Sequence, residues 1–234
     1  MSYFFKFSDI KNSIFNYLNK EELFLLKFVS KDFYKKFKNI KIKKISLYFA
    51  KNGYLSLLIW SHKNKIDFNM NIVILSAEYG HLNCLQYAHE NKCPWNEYTC
   101  SYAVMNGHLN CLQYAYENGC PWDEDTCSNA AENGHLNCLQ YAHENGCHWN
   151  KNTCSYAAKN GHLDCLQYGH EHGCPWDKWT CFYAAENGHL NCLQYAHEHG
   201  CPWYQNICYY AQKNNHLDCL EYAHKNECPC SCIK

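Results

Sequence analysis

Arginine does not occur in the chain, so all 21 basic side chains are lysines. Without guanidinium groups, arginine's planar two-point grip on phosphate is lacking. An excess of charge of either sign is also lacking. The formal net charge is −1, which gives no overall drive toward nucleic acid or an anionic membrane. No stretch approaches the roughly 18 apolar residues of a membrane-spanning helix. The first residues have neither a long apolar run nor a cleavage-site pattern, so no signal peptide is read. These absences lead us to expect a cytoplasmic or nuclear protein, where thiols stay reduced. The 19 cysteines, an odd number, fit a complete disulfide framework poorly. Lysine, asparagine, tyrosine and isoleucine are plentiful instead, a codon bias of AT-rich genomes and no statement about mechanism.

The charge is unevenly placed. Residues 1–50 hold 11 Lys and 4 acids, whereas residues 51–234 hold 10 Lys and 18 acids. This asymmetry predicts two parts. The second part is a repeat: the words "NGHLNCLQYAHENGC" recur, and Gly80, Gly107, Gly134, Gly161 and Gly188, each followed by His, fall at steps of 27 residues. Asn215-His216 continues the series, and Gly53-Tyr54-Leu55 is a degraded earlier copy. About seven units therefore run from Lys41 to the C-terminus.

Each unit reads as two short helices. Asn96, Asp123, Asn150 and Asp177 stand at the start of the first, where a short polar side chain accepts from orphan backbone N–H groups. "TCSYAA" follows, and Gly107, Gly134 and Gly161 supply left-handed stops. In the second helix Leu109, Cys111, Leu112 and Ala115 share one face. Gly119 and Pro121 end it, leaving no room for a strand between units. The words Ala130-Ala131, Gly134-His135-Leu136, Cys138-Leu139 and Gly146 resemble the ankyrin repeat. The resemblance implies an all-α solenoid of stacked helix pairs. The period of 27 is shorter than the family's usual repeat of about 33, so its hairpin finger is expected to shrink to a turn. Repeats of this wording, rich in "GCPW", resemble those of giant amoeba-infecting DNA viruses, which implies an infected host cell as the setting.

The cysteines admit several readings. Cys138, Cys147 and Cys154 recur in every full unit at positions expected to be buried, and a free cysteine behaves as a small hydrophobe. A zinc site needs four converging ligands, usually in close pairs, and the wide spacing here does not provide them. The tail, His224, Cys228, Cys230 and Cys232, is either a soft-metal site or a reduced, frayed end. Six copies of one environment argue against the unique group that catalysis needs. The histidines from His81 to His216 are read as turn residues bridging to neighbouring backbone. Trp95, Trp122, Trp149, Trp176 and Trp203 are read as a stacked aromatic ladder.

Differences between units concentrate on the first helix. One position reads Tyr98, Asp125, Asn152, Trp179, Asn206. Three residues on it reads Ser101, Ser128, Ser155, Phe182, Tyr209, and four further on Met105, Glu132, Lys159, Glu186, Lys213. These steps predict one helix face, and stacked units would align it into a surface for a partner protein. Tyr98, Asp125, Asn152, Trp179, Phe182, Asn206 and Tyr209 are the expected contact residues; drift on a solvated face is the competing reading.

Residues 1–40 read as three short helices. Ile14-Phe15-Asn16-Tyr17-Leu18, Glu22-Leu23 and Val29-Ser30-Lys31 resemble the words of an F-box, with Lys6-Phe7 in place of the family's Leu-Pro. The resemblance implies docking to a Skp-type adaptor of a cullin–RING ubiquitin ligase through Ile10, Ile14, Leu18, Leu23, Leu26 and Val29. A helical cap over the open end of a solenoid at residues 41–234 is the alternative. The function expected is a non-catalytic adaptor that holds a target protein beside the ligase; a plain binding or scaffold protein is the other reading. A monomer is expected, with no cofactor, metal, nucleic acid or membrane partner.

Overall fold

A computed structural model describes residues 45–229 apart from 64, 67 and 123. Ile10, Ile14, Leu18, Leu23, Leu26, Val29, Asp123, Cys230 and Cys232 lie outside the described residues. Fourteen helices are found among those described, in seven pairs. They are α1 (Ile45–Lys51) with α2 (Leu55–Lys63), α3 (Met70–Glu78) with α4 (Leu82–Glu90), and α5 (Glu97–Met105) with α6 (Leu109–Glu117). Then come α7 (Glu124–Glu132) with α8 (Leu136–Glu144) and α9 (Lys151–Lys159) with α10 (Leu163–Glu171). The last are α11 (Lys178–Glu186) with α12 (Leu190–Glu198) and α13 (Ile207–Lys213) with α14 (Leu217–Lys225). The unit from Ser46 onward is an ankyrin-like solenoid in which each pair stacks on the next. No strand occurs among the described residues, and a short turn, Asn91 to Asn96, joins α4 to α5. From α3 onward the first helices of successive pairs approach one another more closely than the second helices do. That difference places the first helices on the inner side of the array.

Helix starts follow local chemistry. Asn150 Oδ1 accepts from the Asn152 N–H at 2.8 Å, and Asp177 Oδ1 accepts from the Trp179 N–H at 3.0 Å. Such caps are worth about 1 kcal/mol each. Asn96 takes the same extended backbone without that bond. In the last pair Tyr204 stands at the cap position, the acceptor is lost, and α13 begins only at Ile207.

The core repeats with the sequence. Leu85, Leu112, Leu139, Leu166 and Leu193 are each 0 % exposed and form one column. Ala88, Ala115, Ala142, Ala196 and Ala223 are buried one turn further on, with Gly169 in that place in α10. A Cβ at Gly169 would stand 3.2 Å from Cys154 Sγ, so the thiol must shift by a few tenths of an ångström. The sibling pair Ala142 and Cys127 coexists in this environment. Gly169→Ala is therefore expected to raise stability by about 0.5–1 kcal/mol through helix propensity. A lower urea midpoint for the variant would show that the thiol cannot move.

All 17 described cysteines are buried, as the hydrophobe reading expects. Cys120, Cys174 and Cys201 tie the end of each unit to its start, with Sγ donating to the carbonyls of Asn96, Asn150 and Asp177 at 3.2, 3.3 and 3.2 Å. Burial pushes the Cys84, Cys138 and Cys192 thiols up to about 11, and Cys111 up to about 12. The Cys154 thiol is raised first by the hydrogen bond it shares with Cys174 and then by burial. None of these raised thiols is a thiolate at neutral pH, the form a nucleophile needs.

The histidines do bridge to neighbouring backbone. His81 Nε2 donates to the Lys51 carbonyl at 3.0 Å, and His135 Nε2 to the Met105 carbonyl at 3.2 Å. These carbonyls belong to the last turn of the preceding unit's first helix, where no intrahelical donor exists. Each such histidine thus caps the helix of the unit before it.

The tryptophans do not form the expected ladder of Trp on Trp. Trp95 stacks on His89 of its own unit at 3.8 Å, Trp149 on His143 at 3.8 Å, and Trp176 on His170 at 3.9 Å. Tyr116 takes the histidine's place under Trp122, at 3.8 Å. Each of these stacks meets the edge of a tyrosine from the next unit, which keeps successive indoles apart. His89, His143 and His170 Nδ1 also share hydrogen bonds with the hydroxyls of Tyr114, Tyr168 and Tyr195 at 2.9, 3.0 and 3.0 Å.

Burial lowers the pKa of His89, His143 and His170, helped by Lys92, His172 and His199 in turn. Burial also lowers His108 and His189. A histidine with a depressed folded pKa leaves the unfolded chain to bind protons first as pH falls. The stability these rings contribute is therefore full above the unfolded value of about 6.5. It is lost as pH falls from there through the folded values. The urea midpoint is expected to drop steadily between about pH 7 and 5, and a flat profile across that window would contradict this account.

Candidate binding face

The exposed side of the first helices carries the residues that differ between units. Tyr98 is 55 % exposed and Met105 39 %, and Asp125, Asn152 and Asn206 are exposed as well. Trp179 is half-buried at the start of α11, where the Asp177 cap fixes its backbone N–H. Four of the seven expected contact residues therefore share this face, and Asn206 is exposed just ahead of α13.

The other two do not. Phe182 is 6 % exposed, which corrects its expected place on the open surface. Ser101, Ser128 and Ser155 are buried in the same way, and Ser128 Oγ lies 3.3 Å from Thr153 Oγ1 of the next unit. The reason is angular. Seven residues turn a helix by about 700°, nearly two full turns, whereas three turn it by about 300°. The position of Phe182 is thus rotated about 60° away from that of Trp179, toward the following unit. Tyr209, at the same position in α13, is 55 % exposed because no described unit follows to cover it. It sits in the last described pair.

Phe182 nevertheless organises the site. Its ring lies 5.0 Å from Tyr204, 5.0 Å from Tyr210 and 5.4 Å from Trp179. Trp179 in turn stacks on Tyr204 at 5.1 Å. Aromatic contacts of this kind hold rings in fixed positions, at about 0.5–1.5 kcal/mol per pair. Beside the cluster, between α9 and α11, is an open groove of about 190 Å³. Tyr156, Trp179 and Tyr183 form its aromatic wall, and Asn152 and Ser155 its polar wall. Lys151 Nζ and Asp177 Oδ2 pair across it at 3.3 Å. Lys178 lies over Trp179 and Tyr204 at 5.6 and 5.3 Å, and Lys159 over Tyr183 at 5.9 Å.

Among the described residues no group of three or more His, Cys, Asp or Glu is placed to hold a metal ion. Nor is any helix among them long and apolar enough to cross a membrane. The family model for ankyrin repeats, in three copies, matches residues 127–205. Those residues are similar to ankyrin repeats. The crystal structure of the human ASB11 ankyrin repeat domain is similar to this chain at a TM-score of 0.59 and 16 % identity. The match covers 67 % of this chain and 84 % of that one, and at that identity it bears on the fold alone. A comparison with curated proteins finds no match.

The groove lies within the residues that this model matches, on the first helices α9 and α11. Sequence reasoning missed Tyr156, Tyr183, Tyr204 and Tyr210. Three of them occupy one position, which reads Tyr102, Asn129, Tyr156, Tyr183, Tyr210. A search for differences passes over a column so nearly uniform. The usable signal was its place four residues after Tyr98 and its equivalents, one turn along the same face.

Proposed function

We propose that the array captures a target protein on its first-helix face, centred on Trp179, and that residues 1–40 couple it to a Skp-type adaptor of a cullin–RING ubiquitin ligase. The chain itself performs no chemistry. Its effect is proximity, raising the target's local concentration beside the ligase. The observation that supports target capture is the open groove of about 190 Å³ with Trp179 half-buried in its wall. A large ring held rigid by its neighbours and still accessible is the usual anchor of a protein interface. The adaptor half rests on the F-box-like words at Ile10, Ile14, Leu18, Leu23, Leu26 and Val29. A reducing cytoplasm or nucleus, of an infected host cell by resemblance, suits the buried thiols.

The test uses the full chain in a eukaryotic, preferably amoebal, lysate. Ile14→Asp is expected to remove a Skp-type adaptor and its cullin while leaving the array folded. Trp179→Ala is expected to cost target capture about 2 kcal/mol, roughly 30-fold in Kd, with adaptor binding unchanged. If no ligase component is captured by the wild type, residues 1–40 act as a cap and the protein is a binding solenoid alone. If Trp179→Ala retains its captured proteins, the face is not the binding site.

A further inference from the structure

The charge around the groove differs from that of the rest of the array. Residues 51–234 hold 18 acids against 10 lysines, yet Lys151, Lys159, Lys178 and Lys213 gather about one aromatic cluster. Lys213 lies over Tyr210 at 5.9 Å, completing the set begun by Lys159 and Lys178. The one ion pair among the described residues is that of Lys151 with Asp177. Asp177 is further engaged as the cap of α11. Lys159, Lys178 and Lys213 therefore have their ammonium groups beside aromatic faces with no carboxylate paired to them among the described residues. Glu186 is half-buried on α11, and Asp125 and Glu132 mark the acidic limit of the patch one unit earlier.

We propose that the groove between α9 and α11 receives an acidic segment of the partner protein, with one apolar side chain against Trp179 and Tyr183 and flanking carboxylates on Lys159, Lys178 and Lys213. This inference rests on the protein-capture reading and adds the chemistry of the partner. The volume, about 190 Å³, admits one or two side chains, which fits a single anchor. Aromatic walls favour an apolar anchor, and each lysine supplies donors for a charge-assisted hydrogen bond. A nucleic-acid strand needs a continuous basic track with successive stacking platforms. Here the basic patch ends at the acidic unit that precedes it.

The test measures fluorescence anisotropy of labelled peptides against the full chain. Three peptides of one length carry a single central Leu flanked by Glu, by Gln or by Lys, and a single-stranded oligo-dT serves as the fourth probe. The Glu peptide is expected to bind about tenfold more tightly than the Gln peptide. That preference should shrink as salt rises. The triple variant Lys159→Glu, Lys178→Glu, Lys213→Glu should reverse it in favour of the Lys peptide. Lys→Gln at the same three sites should abolish it, and thermal melting of both variants shows that the array stays folded. Equal affinity for the Glu and Gln peptides, no binding by any peptide at millimolar concentration, or tighter binding of oligo-dT overturns the proposal. The two readings fail separately. A captured target lost with Trp179→Ala but kept by the triple charge reversal leaves protein capture standing and removes the acidic partner. A target kept by Trp179→Ala removes the capture face itself.

Discussion

Leu166→Ala is expected to lower the stability of the array by about 2–5 kcal/mol, the range for removing a fully buried leucine. Leu166 is 0 % exposed in α10, with column leucines on both sides of it. Cys165 beside it in the chain, and Cys154 and Cys174 around Gly169 one turn on, are 1, 1 and 4 % exposed. They are too short to move into the vacated space, so the cavity stays open. A stacked array is held by contacts between neighbours, so the loss weakens the interfaces on both sides of the fifth unit. Urea unfolding followed by helix content should therefore show a lower midpoint. It should also show a broader transition, as the two flanks begin to unfold separately. Leu166→Met keeps the volume and is expected to cost under about 1.5 kcal/mol. If Leu166→Ala unfolds at the wild-type midpoint, the column is not what holds the pairs together.

The column was legible because its residues recur at helical steps within each 27-residue unit, and recurrence needs no partner to be recognised. The same holds for the caps at Asn150 and Asp177 and for the buried cysteines. These features are fixed by short-range rules, and the periods report them directly. What the sequence hid depends on the next unit. Phe182 was expected on the surface with Trp179, because steps of three and four were treated as one face. The following unit covers one position and leaves the other open. The indoles were expected to stack on each other, and the intervening tyrosine of the next unit prevents it. Tyr204 illustrates the limit best. Its loss of capping function is visible in the sequence, but its packing against Trp179 and Phe182 follows only from how far α13 is shortened. Nothing in the periodicity of a repeat specifies where its irregular copy places a side chain.

A large backbone effect is expected at Gly161, where Gly161→Ala should cost about 1.5–3.5 kcal/mol. Two causes combine. Gly161 has φ of +76°, a conformation that costs an L-residue about 1–2 kcal/mol. A Cβ there would also stand 2.5 Å from Nδ1 of His189 in the next unit. That ring cannot retreat freely, because it is hydrogen-bonded to the Lys159 backbone. Moving it gives up a hydrogen bond worth about 0.5–1.5 kcal/mol. The chain contains its own controls. At the second glycine of each unit a Cβ would meet nothing within 4 Å, as at Gly146. There Lys92 and Glu227 replace glycine at φ of 67° and 55°. At the Gly161 position every glycine from Gly53 to Gly188, spaced 27 residues apart, carries positive φ. Only Asn215 departs, in the last described unit, where no further histidine packs against it. Gly146→Ala should therefore cost only the conformational part, about 1–2 kcal/mol. In a His189→Ala background that bond is already gone, so adding Gly161→Ala there should cost only the conformational part, about 1–2 kcal/mol. Urea midpoints of the alanine variants at Gly161, Gly146 and His189 and of the Gly161→Ala, His189→Ala double variant, measured at one pH above 7, separate the two causes. Equal costs at Gly161 and Gly146 would mean that the histidine yields without resistance and that the units are not interlocked at this point.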